Sequence, residues 1–166
     1  MFEPKPISRD AIPSALAKAE RYRLLNEPGE AESICLDVLQ IEPGNQDALV
    51  TLVLALTDQF PQHASAGPVS RAGELTRLLT DPYEREYYAG IVHERRAKAA
   101  LQRDSFHSSA SAAGWLHEAL ACFERAESLK PAHNDDAVLR WNACARLLER
   151  LPAVALDTHA EPIESE

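Results

Sequence analysis

The stretch Leu116–Pro131, LHEALACFERAESLKP, is the ruler from which the other elements of the chain can be measured. Leu116, Ala119, Leu120, Phe123, Ala126 and Leu129 recur three and four residues apart, which places them on one face of an α-helix. Alanines share that face with a single large aromatic, so a neighbouring helix can approach closely beside them. Pro131 follows the last apolar turn and stops the helix, because proline lacks the N–H that a further turn needs.

The same pattern returns earlier. Ala31, Cys35, Val38, Ile41 and Pro43 fall at the spacings of Ala119, Phe123, Ala126, Leu129 and Pro131. Two helix–turn–helix units with one internal spacing are hard to obtain by accident. Helix one is expected from near Asp10 to Asn26, with Leu16, Ala19, Tyr22 and Leu25 as its stripe and Asn26-Glu27-Pro28-Gly29 as a tight turn. Helix two should run from Glu30 to Ile41. Helix three, from Asn45 or Gln46 to Gln59, is apolar around most of its circumference and belongs at the centre of a stack.

A Pro/Gly/Ser loop follows at Phe60–Pro68, then helix four at Val69–Leu79 and helix five at Pro82–Arg103. A second loop is expected at Asp104–Ser111, where serine is frequent, ahead of helix six at Ala112–Lys130. Asn134-Asp135-Asp136 signals the start of helix seven, which should reach Arg150. One helical domain is therefore expected over residues 10–151, with a flexible lead at 1–9 and a flexible acidic tail at 152–166.

The closing prolines Pro43, Pro82 and Pro131 stand 39 and 49 residues apart. A tetratricopeptide repeat (TPR) unit is about 34 residues long. The surpluses of about 5 and about 15 fall between the two helices of their units, so they should project from one edge of the stack. Over Ala11–Arg150 the chain resembles a TPR protein, through Tyr22, Ala31 and Pro43, then Leu49, Leu52, Leu56 and Ala72, then Gly90, Ala119, Phe123, Ala126 and Pro131. The family's tryptophan early in the first helix of a unit is missing from helices one, three and five. The resemblance implies an all-α, TPR-like α-α superhelix of about seven helices. These would form three hairpins and a capping helix, with Trp141 packed on helix six; a more compact bundle of hairpins is the alternative.

The resemblance also implies that a concave groove, lined by the first helix of each unit, binds a peptide or helix of a partner protein. Its lining would be Glu20 and Arg23, then Val50, Leu54 and Thr57, then Tyr87, Ile91, Glu94 and Arg95, then Val138, Asn142 and Arg146. Some TPR domains clamp a C-terminal carboxylate with lysines and an asparagine. Leu54 and Ile91 stand where that clamp needs polar groups, so an apolar middle suited to an amphipathic segment is expected instead. Burial of Leu54 and Tyr87 by the chain itself, or by a second copy in a homodimer, is the competing reading.

Composition narrows the function classes. The 166 residues hold 17 basic and 26 acidic side chains, for a formal charge of −9. That opposes non-specific binding to nucleic acid or anionic membrane. Arg95, Arg96, Lys98 and Arg103 make helix five locally basic, but interspersed acids suit a solvated face or an acidic partner better than a nucleic acid. The N-terminus lacks the order of a signal peptide and the longest apolar run is too short to span a bilayer, so the cytoplasm is the expected compartment.

Cys35, Cys122 and Cys144 lie on apolar stripes and read as small buried hydrophobes. His93-Glu94 and His117-Glu118 open like a zinc-protease motif, but residues 97 and 121 are alanines, so neither supplies a facing pair of ligands. His63 and His107 both fall on expected loops of the same edge, where solvated side chains outnumber shared metal or proton sites. No catalytic constellation, cofactor or metal set is expected. The reading is a non-enzymatic adaptor or scaffold; a small acidic assembly or secretion chaperone and a homo-oligomeric subunit are the alternatives.

Overall fold

A computed structural model describes residues 2–63, 66–103 and 106–151, with side chains at all of these except 106–108. They contain seven α-helices: α1 (Ile12–Leu24), α2 (Pro28–Ile41), α3 (Gln46–Asp58), α4 (Gly67–Thr76), α5 (Pro82–Leu101), α6 (Phe106–Leu129) and α7 (Asp136–Arg150). Short 3-10 turns at Arg9–Ala11 and Phe60–Gln62 precede α1 and follow α3. No strand occurs among the described residues, and none of the helices described is long and apolar enough to cross a membrane. The acidic tail expected over 152–166 lies outside the described residues.

Local chemistry sets the helix starts. Asn45 Oδ1 accepts the N–H of Ala48 at 2.9 Å to cap α3, and Asp81 Oδ1 accepts that of Tyr83 at 2.9 Å to cap α5. Pro28 and Pro82 occupy first-turn positions, where a missing N–H costs nothing. Asn26 turns the chain out of α1 at a φ of 61°, a left-handed conformation that asparagine tolerates.

Each helix packs against the next in sequence, and α3 also touches both α1 and α5. One core cluster gathers Ala19, Cys35, Leu52, Val53, Leu56, Phe60 and Ala72, uniting α1 to α4. A second gathers Ile91, Ala97, Leu116, Ala119, Phe123 and Cys144, uniting α5 to α7. Ile12, Val38 and Ala48 form a third, against which Ile7 packs from the lead. Polar ties cross the same boundaries: Glu32 of α2 binds Gln59 at 2.8 Å and Arg71 of α4 at 2.5 Å.

Two boundaries expected from sequence are corrected. The Ser-rich loop at Asp104–Ser111 is helical from residue 106, so α6 begins six residues earlier than Ala112, and His107 stands on a helix rather than a loop. Serine's helix penalty is only a few tenths of a kcal/mol, and Ala112, fully buried, continues the stripe that packs on α5. Helix four ends at Thr76, not Leu79. There Leu78 N–H bonds Leu75 O at 3.0 Å and Leu79 N–H bonds Thr76 O at 3.3 Å, a tighter winding that turns Leu79 into the core.

The longest pairing is α5 with α6, and it depends on a glycine. A Cβ at Gly90 would lie 2.5 Å from Phe123 Cε1, inside any permissible contact. Tyr87 flanks the same ring, its centroid 5.9 Å away. Gly90→Ala is therefore expected to lower stability by about 1–3 kcal/mol in urea denaturation. Gly114→Ala, where a Cβ meets nothing within 4 Å, should raise it by about 0.5–1 kcal/mol. Equal effects at both sites would contradict the close approach.

The three cysteines are buried, and burial pushes the Cys35 and Cys144 thiols up to about 12 from 9.0. Their thiolates are thus favoured only in the unfolded chain. The stability this confers is complete below pH 9 and is lost as pH climbs from 9 towards 12. Denaturant titrations across that range should show the decline, and aromatic disulfide reagents should label neither thiol in native protein at pH 8.

Candidate functional site

An open cleft of about 450 Å³ lies where α1, α3, α5 and α7 converge. Arg23 and Leu24 reach it from α1, Thr57 and Asp58 from α3, Arg95 and Lys98 from α5, and Arg140 from α7. Asn26 and Gln102, just beyond α1 and α5, complete its rim.

Asp58 joins two helices. Its Oδ2 accepts from Arg23 Nε at 2.8 Å, and its Oδ1 accepts from Arg95 Nη1. The three side chains are between 18 and 30% exposed, shielded enough for the pairing to outweigh an ordinary surface salt bridge. Glu94 joins α5 to α7. Its carboxylate is fully buried and accepts from Lys98 Nζ and, at 3.4 Å, from Arg140 Nη1. Burial opposes the charge on Arg140, but Glu94 and Tyr87 beside it outweigh that and raise its pKa above the ordinary value. Glu94 Oε2 is buried with no hydrogen-bond partner among the described residues.

Helical geometry divides the basic run of α5 that the sequence groups together. Arg95 and Lys98, three residues apart, share the cleft face. Arg96 lies about 100° further round and stacks its guanidinium on Trp115 of α6, 4.0 Å from the ring centroid. Arg103 donates to the carbonyls of Phe60, at 3.0 Å, and His63, which holds the α3–α4 connection against the end of α5.

Of the groove residues expected from sequence, Arg23, Thr57 and Arg95 line the cleft, and Glu94 lies beneath it through its two cations. Leu54, Tyr87 and Ile91 instead pack in the α5–α7 core, Ile91 at 1% exposure. Val50, Val138 and Asn142 are half-buried, and Glu20 and Arg146 are exposed away from the cleft lining. Asp58, Lys98 and Arg140 were not among the residues expected there. An acid ending α3 opposite an arginine on α1 and another on α5 is the signal that could have found Asp58. Trp141 donates from Nε1 to Glu124 of α6 at 3.0 Å, fixing α7 on α6.

A second groove, about 480 Å³, opens between α4 and α6 with Ala89, Val92 and His93 of α5 as its floor. Its charges balance in number, Arg77, Arg85 and Arg125 against Glu74, Glu86 and Glu118, and Arg125 Nε bonds Glu86 at 2.8 Å. Burial lowers the pKa of His93 against the opposing pull of Glu118. The four-helix cleft, with its surplus of cations, is the stronger candidate. Among the described residues no three His, Cys, Asp or Glu side chains gather where they could hold a metal ion.

Replacing Lys98 and Arg140 together by Met strands a buried carboxylate. The double variant should lose about 3–5 kcal/mol in chemical denaturation, and adding Glu94→Leu should restore most of it. Failure of the third substitution to rescue would show that Lys98 and Arg140 act through packing alone. No protein-family model matches the chain and no curated protein does, so the case for this cleft stands on its own residues.

Proposed function

We propose that the chain is a non-enzymatic protein-interaction module of the tetratricopeptide kind, which holds a segment of a partner protein along the cleft between α1, α3, α5 and α7. The observation that carries this reading is the sharing of one cleft by alternate helices. Repeated helical hairpins present their first helices on a common face, and an open cleft of about 450 Å³ suits a peptide or one side of a helix. Spacing supports it as well: the Ala119, Phe123 and Ala126 stripe sits against α5, as the second helix of such a unit should.

The chemistry suits recognition. Asp58 and Glu94 hold four cationic side chains in place before any partner arrives, so less rotamer freedom is lost on binding. Leu24, 89% exposed at the cleft's edge, offers an apolar anchor beside those charges. This arrangement supports the reading as an adaptor or scaffold.

Site-specific photocrosslinking in the native host provides the test. Benzoylphenylalanine at Asn26 or Gln102 should capture one or a few discrete polypeptides, and the same probe at Ser128, exposed on α6, should not. Capture of a second copy alone would make the chain a homo-oligomeric subunit. Capture of a single export or assembly client would favour a chaperone, and equal capture at all three sites would overturn the assignment of the cleft.

A further inference from the structure

The cleft is rich in hydrogen-bond donors and poor in acceptors. A guanidinium carries five N–H groups and an ammonium three. The ion pairs described engage one nitrogen on each of Arg23, Arg95, Lys98 and Arg140. Four cations thus share two carboxylates, a local excess of positive charge on a chain whose formal charge is −9.

The cations are also arranged in twos. Arg23 and Arg95 share Asp58, whereas Lys98 and Arg140 share Glu94. Arg95 and Lys98 set the distance between the two stations, a rise of about 4.5 Å along α5. A single phosphate would need the cations to converge on one point, but here each pair is drawn to its own carboxylate. Two carboxylates on neighbouring turns of a helix match that spacing.

We propose that the cleft docks an internal acidic segment of its partner, at least two Asp or Glu side chains within about four residues, one carboxylate at each station. This rests on the reading of the cleft as a partner-binding face and names what that face selects. A neutral segment would cover the four cations without supplying acceptors for their remaining N–H groups. A nucleic acid would extend beyond the cleft, past a Debye length of about 8–10 Å, and meet the acidic remainder of the chain. A short acidic segment stays within the positive field.

A displayed library of random 12-residue peptides, blocked at both termini and selected on the full chain, tests this. Enriched peptides should carry two or more acids within four residues. Their affinity, read by fluorescence anisotropy, should fall at least tenfold when those acids become Asn or Gln. A similar fall is expected with Arg23→Gln/Arg95→Gln, a variant that leaves the Glu94 station intact and whose folding is checked by circular dichroism. It is also expected between 50 and 300 mM salt. Enrichment of neutral peptides that are blocked by Gln102→Trp would overturn the acidic preference and leave the cleft as a binding face. Binding only to phosphorylated counterparts, or to a single-stranded oligonucleotide, would overturn it too. Peptides indifferent to every cleft substitution, or no enrichment at all, would overturn both readings.

Discussion

The contact of the Phe123 ring with the bare backbone of Gly90 is the constraint on which the rest depends. It lets α5 and α6 approach closely over a length that no other pair of helices matches. Tyr87 of α5 flanks the same ring and stacks on Tyr83, with their centroids 5.7 Å apart. With α5 held so firmly there, another side of the helix can carry charge. Arg95 and Lys98 stand on it, Lys98 bonded to the buried carboxylate of Glu94 and Arg95 to Asp58.

A buried carboxylate is an unusual thing to place in a helical core, since its desolvation is recovered only through well-made pairings. Glu94 meets this with partners from its own helix and from α7, and Asp58 repeats the device between α1 and α5. Both acids join helices that are not neighbours in sequence. The apolar contacts stack each helix on the next, and the two acids draw the alternate helices together around one opening. Fold and cleft therefore rest on different forces. Hydrophobic burial orders the stack, and ion pairing sets the width of the face it presents.

This division explains what could be read from the sequence. Apolar spacing and proline positions are local signals, and they located all seven helices, with the Ala119–Phe123–Ala126 stripe against α5. They failed where a local preference was overridden: the serines at 108, 109 and 111 yielded to packing along α5, and the end of α4 tightened to bury Leu79. The cleft was less legible. Its members come from four helices, and their meeting depends on small rotations that spacing does not encode. Leu54 and Ile91 have the periodicity of groove positions but are drawn into the core, while Arg140, two residues from the expected register, reaches the opening.

Sequential stacking has a kinetic consequence. Most packing joins elements adjacent in the chain, so little loop-closure entropy has to be overcome before contacts form, and such topologies fold quickly. Opening is local for the same reason. In a stack each helix is held mainly by its neighbours, so α1 can detach without disturbing the α5–α6 pair. Loss of α1 would remove Arg23 from Asp58 and widen one end of the cleft, yet Lys98, Glu94 and Arg140 would stay in place. Loss of α7, packed on α6 at the other end of the stack, would likewise take Arg140 from Glu94, so the two ends of the cleft can open independently.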